Sequence, residues 1–118
     1  MSERKRGRPR KVGLWTYFLA TGNPSSLVTK TFDTDTEVKR AAQKFFASFE
    51  EHCRRYDNAN YERLAGIRAE LDALRDTDND WSFNRGPFEH ATVDNPLTWS
   101  LTFDWNVTAT CKIWKVKR

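Results

Sequence analysis

Leu97-Thr98-Trp99-Ser100-Leu101-Thr102-Phe103-Asp104-Trp105 alternates without a break: Leu97, Trp99, Leu101, Phe103 and Trp105 lie on one side, Thr98, Ser100, Thr102 and Asp104 on the other. Successive side chains of an extended strand point to opposite faces. The stretch therefore has one apolar and one polar face, the pattern of an antiparallel strand half buried against a core. A turn near Asn106 reverses the chain. Val107, Ala109, Cys111 and Ile113 then give a last strand with its own apolar face, with Trp114 and Val116 opposite.

Reading outward from this pair, Asp94-Asn95-Pro96 and Gly86-Pro87 are turn signals. They bound two further strand candidates, Trp81 to Asn84 and Phe88 to Val93. At the other end, Leu14 to Ala20 is rich in aromatic and β-forming residues. The turn signal Gly22-Asn23-Pro24-Ser25 joins it to Ser26–Phe32, so the two read as a hairpin. Thr34 and Glu37 are spaced as a capping box and open a helix. Its apolar stripe is Val38, Ala41, Ala42, Phe45, Phe49, Cys53 and Tyr56, in steps of three and four. Asp57-Asn58 breaks the pattern, and Asn60 is placed to cap a second helix with Leu64, Ile67, Leu71 and Leu74 on one face. Periodicity leaves open whether these are two helices or one long bent helix. Asp76-Thr77-Asp78-Asn79-Asp80 closes the helical region.

The order is thus ββ-αα-βββ. An antiparallel sheet of about five strands with two helices on one face buries every apolar stripe at once, which is an α+β architecture. The 118 residues suffice for one domain and not two. Aromatic residues make up 14%, enough for a small core. Two cysteines do not make a disulfide scaffold, and no apolar run approaches a membrane span. Basic residues before Val12–Ala20 imitate a signal peptide, but Gly13 and Thr16 break that short apolar stretch and its aromatics suit a strand. The expected location is therefore intracellular, in cytoplasm, nucleoid or nucleus, and the Asn106-Val107-Thr108 sequon carries no weight there.

The net charge of +4 conceals an asymmetry. Residues 1–11 hold six basic residues and one acid, whereas residues 12–118 hold 14 basic and 15 acidic residues. The positive excess belongs entirely to the opening segment, which has no apolar residue to bury beyond its first Met. We expect residues 1–12 to be a disordered tail and residues 13–118 a single compact domain.

Residues 4–11 read Arg4-Lys5-Arg6-Gly7-Arg8-Pro9-Arg10-Lys11. The Arg6-Gly7-Arg8-Pro9 core with its basic flanks resembles the AT-hook. The resemblance covers these eight residues alone. It implies an extended segment lying along the minor groove of A·T-rich DNA. The chemistry agrees. A·T tracts have a narrow, strongly negative minor groove that favours inserted arginine. Gly7 lets the backbone approach the groove floor, and Pro9 holds Arg8 extended. A guanine amino group would obstruct the fit. Lys5, Arg10 and Lys11 would pair with phosphates, and Arg4 belongs to the same DNA-binding segment.

A second basic cluster closes the chain. Lys112, Lys115, Lys117 and Arg118 interleave with Trp114 and Val116. Aromatics beside basic residues on a sheet suit a secondary nucleic-acid or partner contact, unless a helix or a second small core packs on that face.

Other chemistry is poorly supported. Asp76–Asp80 begins like a calcium loop, but Trp81 stands where glycine is required and Pro87 where the closing glutamate belongs. His52, Cys53, His90 and Cys111 have no zinc-ligand spacing, and both cysteines fall on apolar stripes as buried thiols. No metal or other cofactor is expected. Asp94, Asp104 and Lys112 lie on neighbouring strands or turns and are the only candidates for a magnesium-dependent nuclease. The sequence therefore points away from an enzyme. Its leading reading is a small DNA-binding accessory or regulatory protein that grips A·T-rich duplex through its tail. The alternative is a viral or phage-type effector or inhibitor whose acidic, aromatic-rich body binds a host protein while the tail localises it.

Overall fold

A computed structural model describes residues 15–74, 91–103 and 108–118. Chain order begins with a hairpin, β1 (Trp15–Asn23) and β2 (Ser26–Phe32). Its turn is closed locally: Asn23 Oδ1 accepts hydrogen bonds from the Ser25 amide at 3.0 Å and its hydroxyl at 2.7 Å. Gly22 beside the turn has φ +129°, and a Cβ there would stand 3.2 Å from the Ser26 carbonyl oxygen. Both facts demand glycine.

Helix α1 (Asp35–Ala47) starts on the expected capping box. The Thr34 hydroxyl accepts from the Glu37 amide at 3.1 Å, and the Thr34 amide donates to Glu37 Oε1 at 3.2 Å. Val38, Ala42 and Phe46 are its fully buried residues. The stripe does not continue as one helix. The Ser48 hydroxyl donates to the Phe45 carbonyl at 2.6 Å, the chain turns over Ser48-Phe49, and α2 (Glu50–Tyr56) follows. Such side-chain bonding to a preceding carbonyl competes with the helical ladder. Helix α3 (Asn58–Ala73) buries Asn60, Leu64, Ile67 and Leu71. The helical region is therefore three segments.

Tyr56 and the cap of α3 both depart from the sequence reading. Tyr56, placed on the apolar stripe, is 73% exposed. The chain bends at Asp57 immediately after it, and the Tyr56 ring lies 5.2 Å from His52 instead of in the core. The cap of α3 is Asp57, not Asn60: Asp57 Oδ1 accepts from the Asn60 amide at 3.1 Å. Asn60 itself turns inward, and its Nδ2 donates to the Thr102 carbonyl at 2.8 Å.

Strands β3 (Leu97–Thr102) and β4 (Thr108–Lys117) complete a four-stranded sheet in the order β2-β1-β4-β3, antiparallel throughout. The α+β architecture is as expected, but the described strands number four, not about five. Ala91–Val93, the described end of the Phe88–Val93 candidate, is not strand. There Thr92 and Asn95 exchange backbone hydrogen bonds of 3.3 and 3.1 Å, which turns the chain, although the Lys115 amide still reaches the Ala91 carbonyl at 3.1 Å. The Trp81–Asn84 candidate lies outside the described residues.

One face of the sheet carries Tyr17, Leu19, Leu101, Ala109, Cys111 and Ile113, and these pack with Val38, Ala42, Phe46, Cys53, Leu64, Ile67 and Leu71 of the helices in a single core. Leu97 and Trp99 are half buried against it, and Phe103 is buried. From Leu97 to Phe103 the alternation thus faces the helix layer as expected, while Trp105, Val107 and the turn near Asn106 lie outside the described residues. Helix α1 lies against β1 and β2, and α3 against β3.

Candidate functional site

Strand parity sorts the C-terminal basic cluster before any geometry is needed. Residues 112, 114 and 116 share one face of β4, and residues 113, 115 and 117 the other. Ile113 is fully buried in the core, so its face is the helix-covered one. Lys112, Trp114 and Val116 therefore share the opposite face, and Lys115 and Lys117 do not.

The four candidate basic residues have different fates. Lys115 is only 5% exposed, and its Nζ stands 4.1 Å from the centroid of the Trp15 ring. It is part of the folded interior and is withdrawn from any surface cluster. Arg118 is a clasp: its Nε donates to the Trp15 carbonyl at 3.0 Å, and its Nη2 lies 3.1 Å from Asp33 Oδ1. It ties the end of β4 to the start of β1 and the end of β2. Lys117 is exposed and pairs in register with Trp15. Lys112 is half buried, between Ala20 of β1 and Thr98 of β3.

Trp114 has a partner that the sequence reading missed. Phe18 of β1 lies directly across from it, with ring centroids 5.4 Å apart and planes 3° from parallel. Both rings are half buried. Phe18 is out of phase with the core residues Tyr17 and Leu19, a signal visible in the sequence once the strand is accepted. The pairing itself depends on a contact between residues almost a hundred positions apart.

Charge on the sheet is one-sided. The four strands contain Lys30, Lys112, Lys115 and Lys117 and no Asp or Glu. The described carboxylates lie on helices and loops, where several are already paired. Arg54 and Arg55 hold the Glu51 carboxyl below its usual range through hydrogen bonds of 2.7 and 2.6 Å. Arg68 pairs with Glu50 at 2.7 Å across the α2–α3 groove.

The thiols are buried, as expected. Burial pushes Cys111 up to about 12 and raises Cys53, the latter with a contribution from Asp57. Neither is a nucleophile at neutral pH. Among the described residues no group of His, Cys, Asp and Glu is arranged to hold a metal ion. Asp94 is exposed in the turn before β3, while Asp104 lies outside the described residues, as do His90 and the Asp76–Asp80 loop. The hook residues Arg4, Lys5, Arg6, Gly7, Arg8, Pro9, Arg10 and Lys11 also lie outside them. No described helix is long and apolar enough to cross a membrane. Compared with known protein families, with curated proteins and with solved structures, the chain matches none.

Proposed function

We propose that this protein is a small non-enzymatic DNA-binding accessory or regulatory protein that grips the minor groove of A·T-rich duplex through Arg6 and Arg8. The observation that carries the reading is the Arg6-Gly7-Arg8-Pro9 core, set in a segment that holds six of the chain's 20 basic residues. Arginine is the side chain best suited to a narrow, negative groove, and a glycine between two arginines lets the backbone follow them down.

The placement of the chain ends supports the reading. Residues 1–14 are tethered at Trp15, whose register partner is Lys117 and whose carbonyl is held by Arg118. Arg8 is within about 25 Å of Trp15 at full extension. Lys117 therefore lies beside the tether and can take a phosphate of the same duplex. Few contacts are involved, so affinity is modest and falls steeply with salt.

Titration of the full chain with A·T-rich and G·C-rich duplexes at several salt concentrations tests the proposal. The A·T duplex binds more tightly, Arg6→Ala with Arg8→Ala removes the preference, and Lys5→Ala mainly lowers the salt slope. Equal affinity for the two duplexes removes the hook reading.

A second reading, a protein-binding body that the tail localises to nucleic acid, draws on one feature: Tyr56 stands exposed beside His52 on α2. A protein retained by the wild-type chain and lost on Tyr56→Ala would favour it.

A further inference from the structure

We propose that the sheet face turned away from the helices binds single-stranded nucleic acid, with bases stacking on the Phe18–Trp114 pair and the adjoining phosphate held by Lys112. The inference stands apart from the tail and uses none of its residues.

The pair sits on β1 and β4, the two central strands of the sheet, so it occupies the middle of that face. Each ring spends one side on the other and is only half buried. A third flat ring can extend such a stack, and stacking on aromatic side chains is the sequence-tolerant part of single-strand recognition. Lys112 is two residues from Trp114 on the same strand and face, about 6.7 Å along it. That is the reach from a stacked base to its own phosphate.

The surroundings fit a polyanion. By parity the face also carries Thr16 from β1, Thr29 and Thr31 from β2, and Thr98 and Thr102 from β3. Their hydroxyls can donate to phosphate oxygens. Among the described residues no carboxylate stands on any of the four strands, so the strands themselves offer a phosphate chain no like charge, although residues 12–111 as a whole are acidic. The described helices α1 and α3 pack on the other side of the sheet.

Three features select the single strand. A duplex hides its base faces inside the stack and offers only edges and backbone, so an aromatic pair gains little from it. A protein-binding patch is depleted in charge at its centre, whereas here Lys112 adjoins the two rings, and threonine hydroxyls together with the exposed Val116 border them. A four-stranded sheet with aromatics on its central strands and helices behind it is also a geometry known to present bases to single-stranded RNA.

The test uses the full chain carrying Arg6→Ala and Arg8→Ala, so that the tail keeps only phosphate contacts common to any strand, and a labelled twelve-nucleotide oligothymidine read by fluorescence anisotropy. An abasic oligomer with the same number of phosphates is the control. The oligothymidine binds more tightly than the abasic strand, Trp114→Leu weakens it about tenfold, and Lys112→Gln lowers the salt slope by about one phosphate contact. Equal binding of the two oligomers, or an unchanged affinity in Trp114→Leu, overturns the proposal. Should that variant fold poorly, the amide resonances of the parent chain answer instead: Phe18, Lys112 and Trp114 shift with oligothymidine, and the α1 and α3 signals stay. If the face responds only to protein concentration, it is a contact between copies and the proposal falls. Trp114→Leu in the chain with an intact tail keeps its preference for A·T-rich duplex, so failure here is distinguishable from failure of the hook.

Discussion

Lys115 lies with its ammonium 4.1 Å from the centroid of the Trp15 ring, two strand pairs from the core residue Ile113 and on the same face of the sheet. A basic residue near a chain end is ordinarily a solvated charge. This one closes the helix-covered side of the sheet at the end where β1 begins. A buried cation over an indole face is held by the ring quadrupole, and its aliphatic stem adds packing. Lys115→Ala is expected to lower stability by about 2 kcal/mol in urea denaturation. Lys115→Met, which keeps the stem, should leave the salt slope of nucleic-acid binding at its parent value, whereas Lys117→Gln lowers it. An equal change in both slopes would show Lys115 to be accessible after all.

Asn60 joins α3 to β3. Its Nδ2 donates to the Thr102 carbonyl at 2.8 Å and to Asp57 Oδ2, also at 2.8 Å. Asn60→Ala strands two acceptors in a partly buried site and should cost about 1–3 kcal/mol. Asn60→Asp should cost more, because an ionised carboxylate cannot donate to either oxygen and faces the Asp57 carboxylate. Chemical denaturation of the two variants gives the order, and a milder loss in Asn60→Asp would contradict the assignment.

The two described glycines should respond in opposite directions. Gly66 lies in α3 with nothing within 4 Å of a Cβ built on it, so Gly66→Ala should stabilise by about 0.5–1 kcal/mol. Gly22→Ala forces an L residue into φ +129° against the Ser26 carbonyl and should destabilise by about 1–3 kcal/mol. Thermal melts of both proteins suffice, and a shift of the same sign in each would be inconsistent with the hairpin geometry.

Cys111 makes stability depend on alkali. Its folded value is raised to about 12 from an ordinary 9.0 by burial. The unfolded thiol therefore loses its proton at a lower pH than the folded one. Its contribution is fully present below about pH 9 and is lost progressively as pH rises toward 12. Unfolding free energies at pH 8 and pH 10 should differ more in the parent than in Cys111→Ala. Thiol reagents should meet Cys111 only at the rate of unfolding, and rapid labelling of the native protein would place the side chain elsewhere.

Much of this architecture was legible from local pattern. The Leu97–Phe103 alternation, the Thr34–Glu37 capping box, the Gly22–Ser25 turn and the burial of both thiols each depend on residues a few positions apart. Charge asymmetry and the Arg6-Gly7-Arg8-Pro9 core are likewise properties of the chain as written. The break at Ser48 was harder to see, because a serine hydroxyl turned back on the Phe45 carbonyl leaves the apolar periodicity almost intact. Tyr56 was misplaced for the same reason: the stripe runs through it, and the bend that exposes it begins one residue later.

Strand order lies beyond such patterns. Periodicity says which face of β1 and β4 is apolar, but only the folded sheet sets β4 beside β1 and brings Phe18 opposite Trp114, Trp15 opposite Lys117, and Lys115 over an indole ring. Side-chain alternation is a short-range consequence of backbone geometry and is written in neighbouring residues. Pairing between the first and last strands is settled by which arrangement buries both apolar faces under the helices, and that choice belongs to the whole chain at once.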